Sequence, residues 1–526
     1  MEARALKIHP DDDVAVLLSP AIAAGTRIRI GTTDYFTDQA IPSGHKIALH
    51  PLAAGTVVKK YGQPFAMTTQ AVAAGHWLHT HNAKTMLGAN EAYEYIPYSP
   101  SPQPSSQGWE EGRGGGLGGG GLGGGFNGFL RADGKVGIRN ELWVLCTVGC
   151  INKMAETVAR EAHAKLAGKN GIDGVYAFTH PYGCAQLGGD LQQTRRLIAA
   201  LAAHPNCAGV LLMGLGCENN ALMDQVAAFR VADRARVRYF SAQEVSDEIG
   251  EGVRLLSELA EIAANDVRTP QPLSKLVLGM KCGGSDGFSG LTANPLVGVL
   301  SDRLAAAGGV SVLTEVPEMF GAEKLLMQRA ADEPTFHAIE RMINDFKDYF
   351  RKYNEPISEN PAPGNKAGGI TTLEEKSLGC IQKGGATAPI RYVLGYGEPL
   401  PPNNGSPELG GGGGIALAYG PGSDVVSCTT LAGTGAQLVL FTTGRGTPFG
   451  TCAPTFKIAT NSGLATRKPG WIDFDAGRLV EEGIPLEVLA DELLALVIQA
   501  ASGEYQTKAE RNGCREIALF KDGVIN

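Results

Sequence analysis

The chain has 526 residues, 43% hydrophobic and 19% charged, with a formal net charge of −8. At this length we expect two or three domains, and the acidic balance excludes the basic surface that binds nucleic acid or an anionic membrane. No apolar stretch reaches the ~20 residues of a membrane span, and the first residues lack an apolar signal core. We therefore expect a cytoplasmic protein with reduced cysteines.

Residues 1–98 predict a small β domain. Alternating stretches such as TRIRI are separated by Gly/Pro turns at IPSGHK and VAAGHW, which is typical of short strands joined by tight turns. Residues 99–128 are rich in proline, serine and then glycine, and cannot bury enough surface to fold. We expect a flexible linker, so that the first domain acts while tethered and not as a rigid part of the rest.

Residues 129–272 predict a parallel α/β domain. An apolar run is followed by a helical stretch three times, starting at ELWVLC, GVYAF and GVLLMG, as in strand–loop–helix units. Residues 273–526 begin another unit at KLVLGMKC and continue with helical stretches, a polar glycine-rich segment and the strand–loop AQLVLFTTGRGTPFG. The sequence therefore predicts a multidomain α/β protein with a small β domain at its start.

Four thiols follow predicted strand ends, the edge where ligands bind in parallel α/β sheets. Each has a glycine beside it, which lets the backbone approach a ligand, and soft sulfur suits iron or zinc. The four are Cys150, Cys184, Cys217 and Cys282. We expect them to converge on one pocket as metal ligands, with His180 as a base and Glu218 as a carboxylate beside them. The alternative is simple packing of small side chains, since none has C-x-x-C spacing.

Two loops of the last region carry cations suited to an anion. GRGTPFG lacks the Gly-Lys-Ser/Thr ending of a nucleotide loop, but Arg445 and Thr447 offer a guanidinium and backbone amides for a carboxylate. Asn365 and Lys366 can bind an anion or hydroxyls, with a solvated or structural loop as the alternative in both cases. The charged run EEK at 374–376 more simply predicts the solvated first turn of a helix.

Two polar elements of the β domain stand out because the chain has only ten histidines. His45 and Lys46 lie in GHK, and His79 and His81 lie in HTHN with Asn82. Two imidazoles at i and i+2 of an extended segment point to the same side, as metal or substrate binding requires. The alternative is a purely structural pair.

Long motifs over almost the whole chain outside the linker resemble the altronate/galactarate dehydratase family, whose relatives include the sulfolactate sulfo-lyases. They are GHKIAL, ADGKVGIRNELWVLCTVGC, YGCAQLG, GLGCENN, CGGSDGFSGLTANP, LTEVPEMFGAE, ENPAPGNKAGGITTLEEKSLGC, GRGTPFG and WIDFDAG. The resemblance implies an N-terminal SAF (β-clip) domain, a middle α/β domain and a larger C-terminal α/β domain. The glycine tract from about Gly108 to Gly128 departs from the compact linker of the family.

The resemblance also implies a hydro-lyase of hexuronate catabolism that removes water from D-altronate to give 2-dehydro-3-deoxy-D-gluconate. HTHN and EVPEMFGAE favour altronate over galactarate. The implied metal is Fe²⁺, and Mn²⁺, another divalent ion or an iron–sulfur cluster stay open. Removing a proton α to a carboxylate requires a base together with concentrated positive charge, which a metal supplies.

Within that reaction we expect an imidazole of the β domain (His45, His79 or His81), with Lys46, to act as base or acid, and His180 to be a rival base. The residues expected to bind substrate are Asn82, Ser285, Asp286, Asn365, Lys366, Arg445 and Thr447. The expected partners are a small sugar acid and further copies of the chain in a homo-oligomer.

Three other functions stay open. The chain could be a lyase of the same family acting on galactarate or a sulfonated hydroxy acid. It could be a non-catalytic iron- or thiol-redox sensor built on the cysteine loops, although that leaves the GNK and GRGTPFG loops unexplained. The β domain could be only a binding or dimerisation module.

Overall fold

The structure is a computed structural model that describes residues 3–88, 93–98, 125–230, 235–401 and 412–523. The predicted linker lies outside the described residues as far as residue 124, so its flexibility stays a prediction. The described parts form a small β domain, an α/β domain around a four-stranded parallel sheet, and an α/β domain around a seven-stranded parallel sheet. The predicted multidomain α/β class is confirmed.

The first domain consists of short strands in two sheets. The strands are β1 (Ala3–Leu6), β2 (Val14–Leu17), β3 (Arg27–Ile30), β4 (Thr33–Phe36), β5 (Lys46–Ala48), β6 (Val57–Lys60), β7 (Gln63–Thr68), β8 (Trp77–Leu78) and β9 (Ala83–Lys84). One mixed sheet has the order β4-β3-β1-β2-β5-β8 and one antiparallel sheet the order β6-β7-β9. In β6 the buried face carries Val58 and Lys60. The period-two pattern therefore directs a lysine inward.

The middle domain repeats the strand–helix unit that the sequence predicts. Its elements are β10 (Phe126–Leu130), β11 (Val136–Gly137), β12 (Glu141–Cys146), α1 (Asn152–Leu166), β13 (Gly174–Phe178), α2 (Gly188–Ala202), β14 (Cys207–Gly214), α3 (Leu222–Ala227), β15 (Val237–Ser241), α4 (Glu248–Ala263) and β16 (Arg268–Gln271). The parallel sheet has the order β13-β12-β14-β15. Strand β10 begins inside the segment predicted as linker because Phe126 and Phe129 are buried there and β10 pairs with β16.

The last domain is built on a parallel sheet with the order β19-β20-β18-β17-β21-β22-β23. Its elements are β17 (Val277–Cys282), α5 (Ala293–Ala306), β18 (Val310–Leu313), α6 (Glu323–Met327), α7 (Glu333–Lys352), α8 (Pro363–Ala367), α9 (Leu373–Cys380), β19 (Ile390–Leu394), β20 (Gly414–Ala418), α10 (Asp424–Gly433), β21 (Leu438–Thr443), β22 (Thr455–Ala459), α11 (Ser462–Arg467), β23 (Phe474–Asp475), α12 (Arg478–Glu481), α13 (Leu486–Ala501) and α14 (Lys508–Arg511). Strands β17 and β18 are central and fully covered, as in doubly wound sheets. Within the described ranges, no helix is long and apolar enough to cross a membrane.

The first domain packs directly on the last domain. Lys46 and Lys60 are buried and each lies 2.8 Å from a carboxylate oxygen of Glu375. A Cβ placed on Gly287 would lie 2.0 Å from the carbonyl oxygen of Gly44, so only glycine permits this approach. The expectation that the first domain acts merely as a tethered unit is therefore wrong for this structure, because buried charges hold it against the last domain.

The middle and last domains also share buried contacts. Helices α2 and α10 pack against each other within one hydrophobic core that draws on both sheets. Arg139 forms a bidentate pair with Glu510, and Arg515 lies 2.9 Å from Glu141. The two parallel sheets are therefore fixed relative to each other by both apolar packing and ion pairs.

Candidate metal centre and active site

Four ligand-type side chains meet at the carboxyl edge of the last domain's sheet. Cys282 ends β17, Glu315 and Glu318 follow β18, and Cys380 ends α9. Their ligand atoms all lie within 4.8 Å of one another, and all four residues are buried. Two thiols and two carboxylates form a mixed soft and hard donor set that suits a borderline divalent ion such as iron or zinc.

The local backbone explains how the two glutamates reach this position. Glu315 adopts a left-handed conformation with φ of +69°, and a 3₁₀ turn over Val316–Met319 follows it. Residues three apart in such a turn lie on the same face, so Glu318 joins Glu315. The Cys282 N–H donates to Glu315 Oε2 at 3.1 Å. A non-glycine residue in this conformation costs free energy and is typical of functional sites.

Three lysines surround the group. Lys281 pairs with Glu315, Lys383 lies 3.0 Å from Glu315 and 2.9 Å from Cys380 Sγ, and Lys376 lies 2.8 Å from Glu318. Burial alone would raise the pKa of Glu318, but Lys376, Lys281 and Lys383 lower it to about 2. The lysines therefore keep this carboxylate ionised and ready to bind a cation.

Buried hydroxyls near the group lack hydrogen-bond partners. Ser285 Oγ, Thr314 Oγ1 and Ser377 Oγ are in the segments that carry the four ligand-type residues, and none has a partner among the described residues. An orphaned buried hydroxyl usually marks a place for water, an ion or a ligand. The donor set and these hydroxyls both fit a bound metal with oxygen ligands around it.

A small cavity adjoins the group. Its volume is about 10 Å³, and its lining includes Cys282, Ser285, Lys376 from the last domain and Lys60 from the first domain. That is room for roughly one water molecule. The cavity connects the predicted strand-end loop of Cys282 with the seam between the first and last domains.

The imidazoles of the first domain gather around Trp77 at that seam. The rings of His45, His79 and His81 have centroids 5.1, 5.7 and 5.0 Å from the Trp77 ring. His79 Nδ1 lies 3.1 Å from Thr371 Oγ1, and His45 Nε2 lies 3.4 Å from the Ala367 carbonyl oxygen. Two of the predicted catalytic histidines are thus brought to the polar glycine-rich segment of the last domain.

Burial determines the protonation of these histidines. It lowers the pKa of His45 to about 4, with the charge of Lys46 adding to the effect. It lowers the pKa of His79 to about 3, again with Lys46 contributing. Both rings are therefore neutral near pH 7.

HTHN is a turn and not the extended segment that the sequence suggested. The N–H groups of Asn82 and Ala83 donate to the His79 carbonyl, and the Asn82 side chain bonds His79 N–H and the Trp77 carbonyl. The same-side argument for His79 and His81 is therefore wrong: His79 is buried and His81 is exposed. The side chain of Asn82, predicted to bind substrate, is used by the turn.

Lys46 is buried at the same seam. Its Nζ donates to the Gly369 carbonyl at 2.6 Å and pairs with Glu375. Burial lowers the pKa of Lys46 to about 8, although Glu375 opposes that shift. Burial would raise the pKa of Glu375, but Lys46 and Lys60 lower it to about 2.

The two cation-bearing loops face each other. A Cβ on Gly364, in the GNK helix α8, would lie 3.9 Å from Arg445 Nε. Lys366 is half-buried and Arg445 is exposed. Asn365 donates through Nδ2 to the Ser285 carbonyl at 2.8 Å and lies 3.4 Å from Lys376 Nζ. These loops therefore join the strand-end loop of Cys282, as the sequence predicted for ligand-binding segments.

Asp286 organises its loop, contrary to the expected contact with substrate. Its carboxylate accepts hydrogen bonds from Ser289, Thr460 and Asn461, and burial raises its pKa. A Cβ on Gly444 would lie 2.1 Å from Asp286 Cγ. The carboxylate is thus fully occupied by the protein. Thr447 Oγ1 likewise accepts from the Phe449 N–H at 3.3 Å.

The predicted convergence of four thiols is wrong. Cys282 lies 3.3 Å from Cys380 Sγ, while the other three predicted ligands are exposed at the ends of strands of a different sheet, in the middle domain. The separation arises because the fourth strand–helix unit starts a new sheet instead of extending the first one. These three ligands are Cys150, Cys184 and Cys217.

His180 and Glu218 also belong to the middle domain, where the backbone occupies their polar atoms. His180 Nε2 lies 2.9 Å from the Cys146 carbonyl, and its Nδ1 accepts from the Tyr182 N–H at 3.2 Å. Glu218 accepts from Thr147 Oγ1 and from two N–H groups of its own loop. Both residues bond within the loops of the middle domain, and neither belongs to the buried group of the last domain.

Comparison with known proteins decides the family. Three family models match: the altronate/galactarate dehydratase SAF domain at residues 3–86, the D-galactarate dehydratase/altronate hydrolase second domain at 128–264, and the D-galactarate/altronate dehydratase C-terminal domain at 273–525. The chain belongs to the altronate/galactarate dehydratase family. The predicted SAF domain followed by α/β domains is therefore confirmed.

Relatives within this dehydratase family match the chain from end to end. An altronate dehydratase of Bacillus subtilis (strain 168) is 45% identical over 520 residues, and one of Escherichia coli (strain K12) is 46% identical over 524 residues, each covering 99% of both chains. A galactarate dehydratase (L-threo-forming) of Escherichia coli (strain K12) is 31% identical over 540 residues, covering 99% of this chain and 97% of the relative.

Of the four residues in the buried group, the sequence predicted only Cys282 as a metal ligand. Glu315, Glu318 and Cys380 were not singled out, although all three lie in motifs that carry the resemblance. The available signals were two glutamates three apart directly after an apolar run, in TEVPEM, and a lysine inside the apolar run of β17. Charged residues in buried strands are rare unless they are paired.

The prediction that residues 374–376 form a solvated first turn of a helix is wrong in part. Glu374, Glu375 and Lys376 do lie in the first turn of helix α9, but all three are buried. Glu374 accepts hydrogen bonds from Thr85 and from the Met86 N–H. The first domain covers this turn, so the residues are not solvated.

Proposed function

We propose that the chain removes water from D-altronate and gives 2-dehydro-3-deoxy-D-gluconate. The observation that carries this proposal is the buried set of two thiols and two carboxylates, which adjoins a seam lined with neutral imidazoles. Identities of 45–46% to two altronate dehydratases, against 31% to a galactarate dehydratase, favour altronate over galactarate as the substrate.

A divalent ion, with Fe²⁺ as the first choice and Mn²⁺ as the alternative, fits the buried group. The residues that would hold it are Cys282, Glu315, Glu318 and Cys380. When bound, such an ion polarises carboxylate and hydroxyl oxygens and so acidifies the neighbouring C–H bond.

Arg445 and Lys366 would bind the substrate carboxylate. They lie on facing loops next to the buried group, and a guanidinium can engage a carboxylate through two parallel hydrogen bonds. Their positive charge also stabilises the negative charge that develops on the carboxylate as the α proton leaves.

His79 is the proposed base. If its Nδ1–H donates to Thr371 Oγ1, 3.1 Å away, its Nε2 carries the lone pair, and Nε2 has no hydrogen-bond partner among the described residues. Nε2 takes the proton from C2, and the C–H electrons form the C2–C3 double bond as the 3-hydroxyl departs. His81 is exposed and its ring also contacts Trp77; it protonates that hydroxyl to water. The enol then tautomerises to the 2-ketone.

His45 positions this arrangement. Trp77 Nε1–H donates to His45 Nδ1 at 3.0 Å, which leaves the His45 Nε2–H for the Ala367 carbonyl. Both ring nitrogens are therefore engaged. Lys46 likewise uses its ammonium group on Gly369 and Glu375, so it holds the seam and does not reach substrate.

The test is an assay of anaerobically purified protein with Fe²⁺ and reductant, measuring 2-keto acid from altronate, galactarate and sulfolactate. We expect altronate to react fastest. Cys282→Ser should lose both bound metal and turnover, while Cys514→Ser, which changes a thiol outside the group, should keep both. Equal turnover by Cys282→Ser, or preference for another acid, would contradict the proposal.

A further inference from the structure

A cavity of about 100 Å³ lies where the middle and last domains meet, and we call it the junction cavity. Its middle-domain wall includes the turn between β10 and β11, and its last-domain wall includes Val277 and Val310, the first residues of β17 and β18. An apolar cavity of about 150 Å³ is large enough to hold benzene. The junction cavity therefore has room for a compact group of a few carbon atoms.

The junction cavity is separate from the buried group of two thiols and two carboxylates. Strand β17 starts at the cavity with Val277 and ends at Cys282. Five residue steps of about 3.3 Å place these two ends roughly 16 Å apart. Ligands of parallel α/β sheets usually bind at the carboxyl edge, whereas the junction cavity lies at the amino edge. A molecule bound there does not occupy the proposed active site.

Two lysines bring positive charge to one side of the junction cavity. Lys275 Nζ donates to the Gly134 carbonyl at 3.3 Å, and Lys135 Nζ lies 3.5 Å from a carboxylate oxygen of Asp133. Both ammonium groups thus lie beside the same turn, and both lysines are half-buried. Charge-assisted hydrogen bonds are shorter, at about 2.7–2.9 Å. The donors of Lys275 are therefore only weakly engaged.

The carboxylate of Asp133, which also lines the cavity, is held by its own partners. It lies 3.0 Å from Arg230 and accepts the Lys135 N–H at 3.1 Å. Burial would raise the pKa of Asp133, but Lys135 and Arg230 lower it below its usual value. Lys275, in contrast, has no ion-pair partner among the residues that the structure describes. An anion in the cavity would supply that partner.

The other walls of the junction cavity are mainly apolar. Val136, Val277 and Val310 contribute aliphatic surface from both domains. The hydroxyls of Ser274 and Tyr392 also line the space, and neither has a hydrogen-bond partner within the described part of the chain. A molecule with many hydroxyls would press some of them against the valines without partners, which costs free energy. The walls therefore favour a short aliphatic chain over a sugar.

We propose that the junction cavity binds a small aliphatic monocarboxylate. Its carboxylate pairs with Lys275, and its carbon chain lies against the valines of the middle and last domains. Because the ligand binds the folded chain and touches both domains, it stabilises their junction. The proposal does not rest on the proposed function, since no residue of the buried group lines the cavity.

The experiment titrates the full wild-type chain with isobutyrate and measures Kd by ligand-observed NMR. Two probes of similar size serve as matched controls: isobutyramide lacks the negative charge, and glycerate carries hydroxyls in place of the methyl groups. We expect saturable binding of one isobutyrate per chain. Each control should bind about tenfold more weakly or less, because it loses a charged hydrogen bond or buries unpaired hydroxyls.

The probe comparison needs no variant to fold, and it can overturn the proposal by itself. Absence of saturable isobutyrate binding contradicts the cavity as a ligand site. Equal affinity for isobutyramide contradicts the role of the lysine, and equal affinity for glycerate contradicts an aliphatic ligand.

Lys275→Gln locates the binding at the junction cavity. It should raise the Kd for isobutyrate by about tenfold or more, so that isobutyrate and isobutyramide bind alike. The matched control is Lys165→Gln, which changes an exposed lysine of α1 that does not line the cavity and should keep the wild-type Kd. Circular dichroism checks that both variants are folded. A wild-type Kd in folded Lys275→Gln would place the isobutyrate elsewhere and overturn the proposal.

Discussion

Cys282 and Cys217 lie in similar sequence contexts but differ in burial and in the charges around them. Cys282 ends a strand of a parallel sheet, Cys217 follows one, and each has a glycine neighbour. Cys282 is buried among two carboxylates, a second thiol and three lysines, whereas Cys217 is exposed, with the Gln243 amide 3.8 Å from its sulfur. The position of a cysteine at a strand end therefore predicts the sheet edge at which its thiol lies. It does not predict the charges around the thiol, because these come from segments distant in sequence.

The histidines of the two regions give the largest expected contrast. His79→Gln should lower kcat by about 10²- to 10⁴-fold, the usual contribution of a general base, because it removes the only ring nitrogen proposed to take the α proton. His180→Gln should change kcat far less, since that ring bonds only backbone groups. Steady-state kinetics with altronate checks both variants. A larger loss in His180→Gln would place the chemistry in the middle domain.

The next largest difference is expected in the free energy of unfolding, between variants of Glu315 and Glu218. Glu315→Gln removes one of the two carboxylates paired with Lys281, the other being Asp424, and it removes the carboxylate paired with Lys383. It should therefore lower the free energy of unfolding by about 3–5 kcal/mol. Glu218→Gln should cost about 1 kcal/mol, because the amide oxygen can keep the bonds from Thr147 and the Leu215 N–H, and only the bond from the Gly216 N–H is lost. Urea denaturation of both variants measures the difference. Equal losses would show that the lysines do not depend on Glu315.

Arg445→Lys tests the loops beside the buried group. A point charge cannot reproduce the planar guanidinium fork, so KM should rise by about tenfold with kcat little changed. Arg467→Lys, an exposed arginine at the end of α11, is the matched control and should keep the wild-type KM. An unchanged KM in Arg445→Lys would remove that residue from substrate binding.

The smallest effect is expected from lowering the pH, which should reduce stability through the histidines between the first and last domains. The pKa of His45 falls from 6.5 to about 4, and that of His79 to about 3, mainly through burial. Lys46 and His81 also lower the pKa of His79, while Glu375 raises it. Because the unfolded chain binds more protons below pH 6.5, stability should fall as pH drops from 6.5 towards 4.

Thermal unfolding across that pH range checks the acid effect. The Tm of the wild type should fall, and the Tm of His45→Gln should fall less because the variant has one fewer group to protonate. Identical pH dependence in both proteins would show that His45 is not a source of acid sensitivity.

Sequence reasoning placed Cys282 at the correct sheet edge because strand–helix periodicity is a local property. It could not place Cys380 beside it, since that residue is 98 positions away and arrives only when α9 packs on the sheet. Likewise, Glu375 looked solvated because its lysine partners come from another domain, more than 300 positions earlier. The HTHN turn was missed because Asn82 caps it through hydrogen bonds that residue spacing does not reveal.

The water-sized space beside Cys282 has a kinetic consequence. A six-carbon acid is far larger than the roughly 10 Å³ available between Ser285, Lys376 and Lys60, so binding it there requires the residues that line this space to move apart. A catalytic cycle that uses this space then contains one opening and one closing of its lining. The frequency of that motion sets a ceiling on turnover, however fast the proton transfers are.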